Sequence, residues 1–151
     1  MNITKQIIIE TAESSQGESN YMYNLRFRPE GVNGQYIMSI AVGEGNYCSP
    51  RALLDDVSEY TAVEVGIIDT KKPRTGAMRT QLMSLGEVEE SFGEEVARFA
   101  EGFGYEEPLN ACTVLPWVTW DDVVRVANRI RTTVQANKPA DGWNEEECQP
   151  F

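Results

Sequence analysis

Histidine is absent from the 151 residues of this chain. That absence excludes Ser-His-Asp and Cys-His catalytic arrangements within one chain, histidine general bases and imidazole-ligated zinc. Any catalysis would fall to carboxylates, lysine, tyrosine or a bound cofactor, and no motif in the sequence calls for a cofactor. Cysteine is scarce. Cys48, Cys112 and Cys148 are odd in number and widely spaced, which argues against a disulfide framework and against a four-ligand zinc site. No apolar run approaches the ~20 residues that cross a bilayer; Ile7-Ile8-Ile9 is only three residues long and Val123-Val124 two. The opening Met1-Asn2-Ile3-Thr4-Lys5 lacks the apolar core of a signal peptide, so the expected location is the cytoplasm of a host cell. Phosphate-binding glycine patterns are missing as well. Gly43 and Gly45 do not continue into a G-x-G-x-x-G run, and there is no Walker motif.

Positive charge is also in short supply. Thirteen basic residues face 24 acidic ones, a net charge of −11. Such a field repels nucleic acid and speeds association with basic proteins. The cluster Lys71, Lys72, Arg74 and Arg79 is the main basic exception, and it reads as a solvated loop in preference to a phosphate contact.

What is present suits one domain. The composition is 41% hydrophobic and 25% charged, ordinary for a globular protein. A chain of this length buries enough surface to fold without disulfide or metal. The expectation is a single α+β domain over residues 1–140 and an acidic C-terminal tail over 141–151, carrying Asp141, Glu145, Glu146 and Glu147 beside Trp143 and Phe151.

Alternation predicts strands over 3–10, 21–28, 35–42 and 61–68. The clearest pair is a hairpin. Tyr21, Tyr23, Leu25 and Phe27 share one face, Tyr36, Met38, Ile40 and Val42 share another, and Pro29 to Gly34 supplies the turn. Residues 14–20 read as a loop. Ser49-Pro50 resembles an N-cap followed by proline, predicting a short helix to about Tyr60. Residues 77–85 lean towards a strand. A short edge strand is expected over 111–118, since Pro116 has no N–H for a ladder.

Two longer helices follow. Over 87–101, Val88, Phe92, Val96 and Phe99 share a face; Gly93 weakens the helix from within, and Gly102 is its natural cap. Thr119 caps the second, with Val123, Ala127, Ile130 and Val134 as its core stripe and Asn137 and Pro139 at its end. Trp120 falls beside that stripe and is expected to be buried. Strands first and helices afterwards predict a mostly antiparallel sheet with helices on one face. An exposed sheet edge also leaves a homodimer open.

The candidate site is the outer face of the 87–101 helix. At 100° per residue Glu87, Glu90, Glu94 and Glu101 lie within about 60° of one another, with about 5.4 Å between turns. That is close to the spacing of phosphates along a nucleic-acid strand. Glu106 and Glu107 extend the acidic run. One reading is a partner-binding surface for a basic protein, such as a nucleic-acid-binding enzyme. The plainer one is a solvated face that keeps an acidic protein soluble.

Other candidates are thinner. Cys48 precedes the expected helix start with Arg51 nearby, which favours a thiolate, but no histidine is available as its base; a small buried cysteine is the alternative. Asp55-Asp56 and Asp121-Asp122 are adjacent pairs whose side chains diverge, and the EF-hand pattern is missing, so no metal is expected. Asp121 and Asp122 suit a helix start, and Asp121 could pair with Arg125.

In size and acidity the chain is similar to small inhibitors carried by phages or mobile elements, among them DNA-mimicking antirestriction and anti-CRISPR proteins. The resemblance is compositional and assigns no residue. It implies a non-enzymatic inhibitor that occupies a basic, nucleic-acid-binding surface. An immunity protein against a basic toxin, or an enzyme of another kind using Cys48 or carboxylates, are the alternatives.

Overall fold

The computed structural model describes residues 2–16, 22–73, 81–98 and 114–137. Five strands form one antiparallel sheet in chain order: β1 (Glu13–Gln16), β2 (Met22–Phe27), β3 (Tyr36–Gly43), β4 (Ala62–Asp69) and β5 (Val114–Thr119). The described helices are α1 (Lys5–Thr11), α2 (Leu85–Phe92), α3 (Glu94–Ala97) and α4 (Trp120–Ala136), with a 3-10 turn at Val57–Glu59. The fold is α+β, as the order of elements implied. Among the described residues no helix is long and apolar enough to cross a membrane.

The expected hairpin is β2 and β3. Tyr23 pairs with Val42, Leu25 with Ile40 and Phe27 with Met38, so the apolar residues of both strands meet on one face. The next pairing sets Met38 against Ile67 and Ile40 against Val65. Ile8, Leu85, Val88, Phe92, Val123, Ala127 and Ile130 from the helices join these residues in one core, which places the helices on that face. β3 is flanked by strands on both sides, and its other face is also partly enclosed: Ile37 and Ala41 are buried.

Several elements differ from the sequence expectation. Residues 3–10 contain a helix, not a strand. Thr4 caps α1 by accepting from Ile7 N at 3.2 Å, and Gln6 donates to Glu10 one turn on at 2.9 Å. The Asn128 side chain bonds both the N–H and the carbonyl of Ile3, each at 3.0 Å, so α4 holds the entry to α1. Docking Ile8 into the core outweighs the strand preference of three consecutive isoleucines, and a short apolar run fits either period. Residues 13–16, expected in a loop, pair with β2.

The helix expected after Pro50 is replaced by an irregular segment with the 3-10 turn at its end. Ser49 bridges to Ala62, with Ser49 N donating to Ala62 O at 3.0 Å and Thr61 N to Ser49 O at 2.9 Å. This extended pairing takes the backbone groups that a helix would use. The buried Tyr60 hydroxyl organises the rest, accepting from Leu54 N at 2.8 Å and donating to Ala52 O. Of residues 77–85, only 81–85 are described; Leu82 makes a single bridge to Ile68, and Ser84 already caps α2.

Among the described residues β5 is an edge strand, as Pro116 predicted. α4 follows without a break. Thr119 accepts from Asp122 N at 3.3 Å, and Trp120 is buried. Arg125 lies 3.5 Å from Asp122 at i+3, where Asp121 was the expected partner. Pro139 and the tail lie outside the described residues.

Candidate functional site

The continuous glutamate-bearing helix does not form. Gly93 ends α2 with φ 102° and ψ 159°, and the same residue caps the start of α3. This combination is accessible almost only to glycine, so the residue expected to weaken the helix divides it. Arg129 of α4 accounts for the break. Its Nε donates to Phe92 O at 2.9 Å, satisfying a carbonyl at the end of α2. A Cβ on Gly93 would lie 3.0 Å from Arg129 Nη2. Counting 100° steps across this point therefore does not align Glu94 with Glu87 and Glu90.

The glutamates differ in what they do. Glu87 belongs to a capping box: its Oε1 accepts from Ser84 N at 2.8 Å, while Ser84 Oγ accepts from Glu87 N at 3.2 Å. The same oxygen lies 2.7 Å from Lys72 Nζ. The hydrogen bond from Lys72, followed by that from the Ser84 backbone, holds the Glu87 carboxyl below the usual glutamate range. Lys72 is thereby drawn from the expected basic loop into the fold. Glu90 is exposed on α2. Glu94 is exposed on α3 and pairs with Arg98 at 2.8 Å. Glu95 is exposed beside it. Glu101, Glu106 and Glu107 lie outside the described residues, as do Arg74, Arg79, Gly102, Cys112 and Cys148.

Cys48 is fully buried. Its Sγ lies 3.4 Å from Gly43 N and 3.3 Å from Gly43 O. Burial pushes the thiol upward, which the backbone contact to Gly43 only partly opposes. A buried, protonated sulfur is a poor nucleophile, so this residue acts as a small core side chain. Asp56 is accounted for by capping the 3-10 turn, accepting from Ser58 N at 2.9 Å. Among the described residues no group of three or more His, Cys, Asp or Glu could hold a metal.

Two of the surface hollows are lined by described residues. One, of about 460 Å³, lies near the β2–β3 turn and is lined by Glu13, Arg26, Arg28, Val32 and Ile37 among others. The second, of about 670 Å³, runs between α3 and α4 and carries Glu95, Arg98, Arg125 and Arg129. Each contains one carboxylate among its described lining residues, so neither offers the paired carboxylates of general acid–base chemistry.

A feature that residue spacing did not reveal lies at the sheet edge. Val63 pairs with Val118 and Val65 with Leu115, leaving Glu64 opposite both Pro116 and Trp117. This is a β-bulge, and Trp117 sits in it at φ 50° with 41% of its surface exposed. Its ring meets the edge of Tyr47 at 5.1 Å, and the Arg51 guanidinium lies 5.3 Å from the Tyr47 ring centre. Pro116 inside a strand was the available signal, because proline in a sheet marks an edge or a bulge. Which tryptophan it would expose depends on a register that alternation alone does not specify. Compared with family models, curated proteins and solved structures, the chain matches none.

Proposed function

We propose that this chain is a non-enzymatic acidic binding protein that docks on a basic, nucleic-acid-binding surface of another protein in the cytoplasm. The supporting observation is the exposure of Glu90, Glu94 and Glu95 on both sides of Gly93, in a chain of net charge −11. The capping box and Lys72 hold Glu87 inside the fold and remove it from the docking set; Glu94 stays exposed but shares its charge with Arg98 at 2.8 Å, and the break at Gly93 removes the regular phosphate-like spacing. What remains is a local acidic cluster reinforced by the field of the whole chain. Such a surface raises the rate of encounter with a basic partner and excludes nucleic acid from the same ground by competition. The compositional likeness to DNA-mimicking inhibitors is the reason for choosing a nucleic-acid-binding target.

The test begins with capture of the partner from the host, followed by affinity measurements from ~50 mM to ~500 mM salt, a range over which screening becomes strong. Affinity should fall steeply with salt. The triple substitution Glu90→Gln, Glu94→Gln, Glu95→Gln should weaken binding at least tenfold and flatten the salt response, and nucleic acid should displace the chain. A salt-independent affinity, or one unchanged by the triple substitution, would count against the proposal.

A further inference from the structure

The edge-strand bulge offers a second contact surface, different in chemistry from the glutamates of α2 and α3. A bulge re-aims a side chain and is common where sheets carry function. Here it holds a tryptophan in the left-handed region, with φ 50°, an arrangement unfavourable for a bulky residue and maintained only when the surroundings impose it. Trp117 N donates to Tyr47 O at 3.0 Å, and Tyr47 N donates to Glu64 Oε1 at 3.0 Å. The second carboxylate oxygen of Glu64 accepts from Asn46 Nδ2 at 3.3 Å. Glu64 thus fixes the loop that fixes Trp117, and the indole projects from the edge with 41% of its surface exposed. Among the described residues the other large exposed apolar side chain, Val32, is on the β2–β3 turn.

Tryptophan, tyrosine and arginine are the residue types that most often dominate binding energy at protein interfaces, and Trp117, Tyr47 and Arg51 are neighbours here, the two rings edge to face and the Arg51 guanidinium over Tyr47. We infer that Trp117 is a docking platform for an arginine side chain of a protein partner. An indole attracts a guanidinium more strongly than the other aromatic rings do, and the planar guanidinium stacks where an ammonium does not; the 41% of Trp117 left open is the surface offered. The chain's negative field and the exposed Glu44 in the same loop favour a cation over a nucleobase with its phosphate. This inference rests on the proposed function for the sign of the partner's charge and adds an anchor to it.

The test is calorimetric titration of the full chain with acetylated tetra-arginine amide, alongside tetra-lysine, an oligothymidylate and sedimentation of the chain alone. Trp117→Ala should weaken tetra-arginine binding at least tenfold, while the wild type should prefer arginine to lysine several-fold. Trp117→Gly should lose binding equally yet melt no lower than Trp117→Ala, because glycine accepts the left-handed backbone. That comparison separates lost contact from lost folding. If Trp117→Ala binds as the wild type does while the Glu90/Glu94/Glu95 triple variant does not, the platform is overturned and the proposed function stands. Loss in Trp117→Ala alone supports the platform and moves the docking site away from α2 and α3. No tetra-arginine binding by the wild type, Trp117-dependent oligothymidylate binding, or self-association abolished by Trp117→Ala would each overturn the inference.

Discussion

α4 and the α2–α3 segment pack their apolar stripes into the same core, yet α4 runs unbroken through 17 residues while its neighbour stops after eight and restarts beyond Gly93. Propensity is part of the difference, since the sequence Trp120–Ala136 contains no glycine or proline. The larger part is the relation between them. α4 supplies Arg129 to the end of α2 and Asn128 to Ile3 before α1, so it acts as the fixed element against which the others are set. Helix continuity here is decided by what a neighbour satisfies as much as by the helix itself.

Core truncation tests this ranking with the largest expected effect. Ile130 on α4 has no exposed surface, and Ile130→Ala should cost about 2–5 kcal/mol. Val96 on α3 is also buried, but Val96→Ala removes less apolar material and should cost about 1–2 kcal/mol. Urea midpoints at unchanged denaturant slope provide the measurement. Equal losses would show that α3 is as integral to the core as α4.

A smaller effect addresses the break directly. Gly93→Ala should cost about 1–3 kcal/mol, because alanine would be held in a glycine-only conformation. Its Cβ would meet Arg129 Nη2 at 3.0 Å, but that contact is with the end of a flexible side chain and can yield; the backbone strain cannot. The contrary outcome is informative. A gain in far-ultraviolet helical signal with no loss of stability would mean that α2 and α3 fuse, and the row of Glu87, Glu90 and Glu94 would then be restored.

Much of the architecture was legible from the residues because it rests on local signals that agree. The Tyr23/Leu25/Phe27 alternation, the turn before Tyr36, the Thr119 cap and the Val123/Ala127/Ile130 stripe each specify an element independently of the others. The failures share a cause. Ile7-Ile8-Ile9 became helical because Asn128, 125 positions from Ile3, clamps the entry. Residues after Pro50 stayed irregular because Ser49 bridges to Ala62. Gly93 broke a helix because Arg129, on another element, caps it. The candidate site suffered for the same reason: Lys72 reached Glu87 from a loop read as solvated. Long-range polar contacts of this kind leave no periodicity behind them.

Glu87 gives the finest test of the difference, since with Ser84 it caps the start of α2 as Asp122 and Thr119 do that of α4. Ser84→Ala should cost about 1 kcal/mol by removing the cap. Glu87→Gln should cost less, under about 1 kcal/mol, because glutamine still accepts from Ser84 N and only the partly exposed pair with Lys72 is lost. The pH dependence separates the two contributions. The folded carboxyl titrates below the ordinary glutamate value of 4.5, so its stabilisation is complete above that value and disappears as pH falls through the lower folded value. The wild type should therefore lose stability relative to Glu87→Gln as acid is added, until the two converge below the folded value. Thermal melts of both proteins from neutral pH downward measure this. A constant gap throughout would mean that Glu87 carries no ionisation-linked stability, and the carboxylate would be available to a partner after all.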